Sequence, residues 1–188
     1  AIDNITDFIS LLIFTSASLL VSLVAGNFYT NLRHAIRNEK QTDALNKINI
    51  VAAKIKTQNI YEFIAILEKE LAVILKLNVI IVEGDPNKQN IDFLENNEKK
   101  LLYEAYKQNI TTGLGTHYKN TSQWRFEPIF YDESHYGVLA IHIPKEMKID
   151  ASFGQLLKTI ALQLGTILEK FIGEKELQKS LISEEKEK

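Results

Sequence analysis

The chain has 188 residues, 45% hydrophobic and 24% charged, a composition that fits one globular domain and excludes wholesale disorder. Lys and Arg number 22 against 24 Asp and Glu, and the net charge of −2 argues against nucleic-acid binding driven by excess positive charge. Cysteine is absent, so a disulfide scaffold, a Cys-ligated zinc site and a thiolate nucleophile are all excluded.

The first residue is Ala, which reads as the start of a fragment or of a processed chain. Between Asp7 and Arg33 lie 25 uncharged residues, and the most apolar part, Phe8 to Phe28, is 21 residues long. At 1.5 Å per residue that part covers about 31 Å, the hydrocarbon thickness of a bilayer. A signal peptide has a shorter core with positive charge before it, whereas Asp3 and Asp7 precede this one. Arg33, His34, Arg37 and Lys40 follow, and the positive-inside rule puts everything after residue 33 in the cytoplasm. The sequence thus predicts a membrane span over residues 8–28 in the inner (cytoplasmic) membrane. Ser10, Thr15, Ser16, Ser18 and Ser22 suit helix–helix packing there, and equally in a soluble core helix.

Leu45, Ile48, Ala52 and Ile55 then form one apolar stripe on a connecting helix. Ile60–Lys76 reads as an amphipathic helix with Asn59 as its N-cap. Asn78–Val82 is a β-branched strand ended by the turn signal Gly84-Asp85-Pro86. Ile91–Leu94 is expected to be a second strand, and Asn96–Gln108 a helix whose apolar face carries Leu101, Leu102, Ala105 and Tyr106. A loop rich in Thr and Gly follows. Arg125–Tyr131 and Tyr136–Ile143 read as paired strands joined by a four-residue connection, Asp132-Glu133-Ser134-His135. The last helix begins near Ser152, its expected cap. On it Phe153, Leu157, Ile160, Leu164, Ile167 and Phe171 are spaced 4-3-4-3-4, a heptad stripe that breaks at Gly173. Leu157, Ile160, Leu164, Ile167 and Phe171 are therefore expected to form the seam of a parallel homodimer, with Ala161 and Gly165 letting a second helix approach closely.

Reactive chemistry is sparse. His34, His117, His135 and His142 show no metal-ligand spacing, and His142 shares a strand face with Val138 and Ala140, which suits a buried or ligand-facing imidazole better than a metal ligand. Gly113-Leu114-Gly115 lacks the third glycine of a dinucleotide fingerprint. Trp124, the only tryptophan, fits either a pocket wall or the core. No catalytic constellation and no cofactor site emerge, so the chain reads as a non-enzyme.

Residues 23–49, LVAGNFYTNLRHAIRNEKQTDALNKIN, resemble the end of the last membrane helix in the KdpD family of potassium-responsive sensor histidine kinases, with Thr42 and Leu45 matching its Thr-x-x-Leu pattern. Thr112-Gly113-Leu114-Gly115-Thr116 resembles that family's Gly-x-Gly-Thr segment. Pro128 and Gly137-Val138-Leu139 are similar to the strand hairpin of GAF domains, and Ala161, Gln163, Leu168 and Glu169 to their exit helix. The resemblance implies an α+β fold, a GAF-like domain with an antiparallel sheet flanked by helices, after a transmembrane helix and before a coiled-coil output helix. Residues 1–32 would hold the transmembrane helix and a short outer flank, 33–58 the connecting signalling helix, 59–150 the GAF-like core and 151–188 the exit helix toward a kinase core outside the chain. The partners implied are a second copy, the rest of the kinase and, through it, a response regulator.

The absence of Cys excludes a thioether-linked bilin, and the cyclic-nucleotide signature is not met, since Asn87-Lys88 lies too early and Phe130-Tyr131-Asp132-Glu133 has the wrong spacing. If the domain takes a small molecule, the family's variable loop points to Thr112, Thr116, His117 and Trp124 as its lining. Two other readings stand beside this one. One is a ligand-binding GAF- or PAS-like domain of another membrane receptor, and the other is a dimerisation spacer without ligand.

Overall fold

The computed structural model describes Ser18, Ser22, residues 42–116 and residues 122–186. The span expected over residues 8–28 lies, but for two serines, outside them, and no helix among the described residues is long and apolar enough to cross a membrane. The chain divides into two units, Ala1–Asp43 and Ala44–Lys188, and the second is an α+β domain.

Its elements are helix α1 (42–54), α2 (Ile60–Leu75), strand β1 (Asn78–Glu83), a 3-10 turn (Pro86–Lys88), α3 (Asn96–Gln108), β2 (Thr112–Gly113), β3 (Trp124–Tyr131), β4 (Ser134–His142) and α4 (Ala151–Lys186). Asn59 caps α2, accepting the Tyr61 N–H at 2.9 Å, and Lys76 ends the helix in the left-handed region at φ 55°. Three local expectations change. Ile91–Leu94 is a turn rather than a strand, because exposed Asp92 and Phe93 both stand between buried Ile91 and Leu94 and the period-two alternation is missing. α4 is capped by Asp150, not Ser152. The Asp150 Oδ1 accepts the Phe153 N–H at 2.7 Å, and a carboxylate also complements the helix dipole. The β3–β4 connection is the two-residue turn Asp132-Glu133, with Asp132 at φ 52° and Tyr131 opposite Ser134. A bulge at Ile129/Phe130 takes up the odd residue, so Trp124 comes to face His142.

The four strands form one antiparallel sheet in the order β1-β4-β3-β2. Alternation sends Val79, Ile81, Ile129, Leu139 and Ile141 to one face, where Ile48 of α1, Phe63, Leu67 and Leu71 of α2, and α4 cover them. Val82, Trp124, Phe126, Val138 and Ala140 belong to a second core with Ile91, Leu94, and Leu102 and Ala105 of α3. Each large side chain so buried contributes about 1.5–3 kcal/mol. Both edges of the sheet are protected. At β1 the Glu68 carboxylate of α2 accepts the Ile81 N–H at 2.6 Å, and the Gln89 side-chain amide donates to the Glu83 carbonyl. The β2 edge is only two residues long.

The stripe on α4 is core. Leu157, Ile160 and Leu164 have no exposed surface, and Ile167 and Phe171 are half-buried on the same cluster, Phe171 stacking on Phe63 at 4.2 Å. The residues expected at a dimer seam are thus covered by the domain's own sheet and α2. A heptad stripe fits inside the broader face of a sheet-packed helix, so its spacing does not identify the partner. Gly165 follows the same logic. A Cβ there would collide with the Phe130 carbonyl, so the glycine brings α4 onto β3 rather than onto a second helix.

Candidate functional site

The first residue of β3 and the last of β4 place an indole against an imidazole at one end of the sheet. The Trp124 and His142 rings meet edge to face, centroids 5.1 Å apart at 69°. Phe93, from the turn before α3, tilts on Trp124 at 5.4 Å and 52°. Phe126, further along β3, stacks on Trp124 at 6.5 Å and, having no exposed surface, fixes the indole from within.

The start of α3 supplies the polar side of the same place. Glu95 is its N-cap, and the Glu95 N–H donates to Glu98 Oε2 at 3.0 Å. The Ser122 hydroxyl donates to Glu98 Oε1 at 2.6 Å, and Ser122 Oγ accepts the Trp124 N–H at 3.0 Å. This chain of hydrogen bonds runs from α3 to β3 and sets the carboxylates beside the rings. Between them is an open cleft of about 470 Å³, within the range of small-molecule sites.

Of the four residues expected to line a pocket, Trp124 lines this cleft and is 8% exposed. Thr112 does not. It is fully buried in β2, and its hydroxyl donates to the Leu101 carbonyl at 2.8 Å, tying β2 to α3. Thr116 turns its hydroxyl onto the Gly113 carbonyl at 2.7 Å. Both hydroxyls are taken by the chain's own backbone, as short Thr side chains in turns commonly are. His117 lies outside the described residues. The sequence reading missed Phe93, Glu95 and Glu98. The capping-box spacing of Glu95 and Glu98 was the available signal for the last two.

On the other face of β3, under α4, lies a buried charged pair. Arg125 Nε is 2.6 Å from Glu127 Oε1, the Thr111 hydroxyl donates to Glu127 Oε2 at 2.6 Å, and Arg125 Nη1 donates to the Leu114 carbonyl at 3.2 Å. Glu127 is fully buried, and desolvation pushes its carboxyl pKa up despite the opposing pull of Arg125, Thr111 and Lys158. Gly154 of α4 faces the guanidinium, and a Cβ there would meet it at ordinary van der Waals distance.

No family model and no curated protein matches the sequence. Among solved structures the chain is similar to the GAF domain of the potassium sensor histidine kinase KdpD from Escherichia coli, at 15% identity and a TM-score of 0.57, over 73% of this chain and 97% of that one. It is also similar to the GAF domain of the Acinetobacter phosphoenolpyruvate-protein phosphotransferase, at 15% identity and a TM-score of 0.49, over 69% of this chain and 93% of that one. At such identity the likeness speaks to architecture alone. The domain has a GAF-like fold.

Proposed function

We propose that this chain is the regulatory GAF region of a membrane-bound two-component sensor histidine kinase similar to the KdpD family, relaying a signal by helix packing in a homodimer. The observation that carries the reading is β3. Trp124 and Phe126 belong to the cleft side, while Arg125, Glu127 and Ile129 belong to the side covered by α4. A ligand that moves the cleft end of β3 moves the strand on which the output helix rests. A difference of a few kcal/mol between two packings suffices for a switch.

The order of segments supports the same reading, with residues 8–28 as the span in the inner membrane and α4 leaving the domain in the cytoplasm toward a kinase core. The potassium or osmotic stimulus of the KdpD family is the finer part of the proposal, supported by the motifs of residues 23–49 and 112–116. A spacer without ligand would fill the pocket with its own side chains, and the open cleft favours a receptor. With the heptad stripe in the core, the dimer face passes to exposed Leu162 and Leu177 of α4 and Ile50 of α1.

The test is to join the full chain to the kinase core of another sensor and change the phase of α4. One residue inserted after Gly173 turns the helix by about 100° and is expected to change autophosphorylation severalfold, and seven residues restore it. Autophosphorylation independent of the insertion length overturns the helix relay.

A further inference from the structure

The composition of the cleft selects a class of ligand. Three rings, Phe93, Trp124 and His142, border it, and Glu95 and Glu98 supply two carboxylates. Among the described residues its lining holds no Lys or Arg, and neither carboxylate has an ion-pair partner there. The start of α3 would by itself draw an anion. That role is filled by the protein's own acidic side chains, since Glu95 caps the helix and Glu98 accepts the cap's N–H. What remains, among the described residues, is a mostly polar place with net negative charge and three rings on its border.

Of these rings Trp124 belongs to the second core, and Phe93 stands open at the rim. Trp124 is held from within by Phe126, and the Ser122 and Glu98 hydrogen bonds fix the start of its strand. Phe93, by contrast, is 42% exposed, a large apolar side chain at the rim of the cleft with its ring tilted toward the indole. A positive charge wrapped in methyl or methylene groups is held by open ring faces beside a carboxylate. The ring quadrupoles attract the charge while the ring surfaces bury the carbon, and the carboxylates neutralise it. An anion would meet like charge here, whereas an ammonium ion meets opposite charge.

From this geometry we infer that the cleft between Phe93, Trp124, His142, Glu95 and Glu98 binds a small organic ammonium ion. This inference deepens the receptor reading of the same cleft and rests on it. The ammonium group sits against Phe93 and Trp124, with Glu95 and Glu98 facing its positive charge and the polar side chains of Asn97 and Gln123 within the same lining for the rest of the molecule.

Trp124 is the only tryptophan of the chain, so its fluorescence reports on the cleft alone. The full 188-residue chain in mild detergent at pH 8 is titrated with choline chloride, with binding heat as a second readout. The expected result is a saturable change in emission. The neutral carbon isostere 3,3-dimethylbutan-1-ol should bind about tenfold more weakly, as should choline to the Phe93→Leu variant, which keeps apolar volume but removes the ring. Glu95→Gln should weaken choline about threefold or more while the circular dichroism stays that of the wild type. Equal binding of choline and its neutral isostere reduces the site to a plain apolar cleft and overturns the proposal. So does an equal response to potassium chloride at the same ionic strength, or neither fluorescence change nor heat with choline at tens of millimolar. The phase dependence of α4 in the kinase fusion is read without any ligand, so failure here and failure of the helix relay are separate results.

Discussion

Glu127 carries a carboxyl with no exposed surface, and its neighbours decide what that costs. Burial raises its pKa from the ordinary 4.5, so the folded protein holds this proton to a higher pH than the unfolded chain does. The stabilisation this gives is complete below about pH 4.5 and is lost as the pH rises through the raised value. Arg125, Thr111 and Lys158 limit the loss without cancelling it. Removing one partner leaves the other charge stranded, whereas removing both leaves a space that apolar atoms fill. Glu127→Ala is therefore expected to lower the unfolding free energy in urea by about 3–5 kcal/mol. The double variant Arg125→Met with Glu127→Leu should lose far less or gain. The stability of wild type relative to that double variant should fall as the pH rises above about 4.5. A single variant no worse than the double would mean that the pair is not coupled.

Elements were legible where one period decided them and illegible where a partner did. The repeat of α2 and its Asn59 cap, the whole of α3 and the core of the β3–β4 hairpin can be read from spacing alone. The exact pairing of that hairpin cannot, because a two-residue turn and a bulge at Ile129/Phe130 together set it, and a slip of one residue would take His142 from beside Trp124. The cleft was hidden for this reason, and because Phe93 looked like part of an apolar strand. On α4 the stripe was visible but its covering was not, since sheet and helix partners ask for similar spacing. Two glycines of α4 separate the cases. Gly165→Ala should destabilise by about 1–3 kcal/mol, because its methyl meets the Phe130 carbonyl. Gly173 has nothing within 4 Å, and Gly173→Ala should stabilise by up to about 1 kcal/mol through helix propensity. Thermal unfolding of both variants decides the matter, and a neutral Gly165→Ala would mean that α4 does not lie so close to β3.

At the scale of the molecule, α4 is the long feature. Its 36 residues extend about 54 Å, and its buried contacts with the domain end near Phe171, so the last turns reach past the sheet. Leu177 stands on that overhang at 62% exposure, and Leu162 is also exposed further back on the helix. Large apolar side chains on a projecting helix are natural contacts for a second copy. Sedimentation of the full chain in detergent should therefore find a dimer, and Leu162→Glu with Leu177→Glu should yield monomers with unchanged circular dichroism. The same replacement at Leu164 should unfold the domain instead, because that side chain is core. A wild type that stays monomeric at high micromolar concentration would remove the dimer from the proposal.

The guarded margin of β1 has a different consequence. An incoming strand must dock on free backbone groups, and here Glu68 already occupies the Ile81 N–H while Gln89 occupies the Glu83 carbonyl. The domain is thereby shielded from fibril growth, the usual hazard of a β-branched outer strand such as Asn78–Glu83. Glu68→Ala with Gln89→Ala should leave the secondary structure intact yet shorten the lag before thioflavin-positive aggregates form, and an unchanged lag would show that the two side chains guard nothing. Burial also raises the pKa of Glu68, more than its bond to Ile81 lowers it, so mild acid discharges this carboxylate sooner than an exposed one. Acidification should then weaken this guard, because the neutral carboxyl still accepts the Ile81 N–H but without the strength its charge lends.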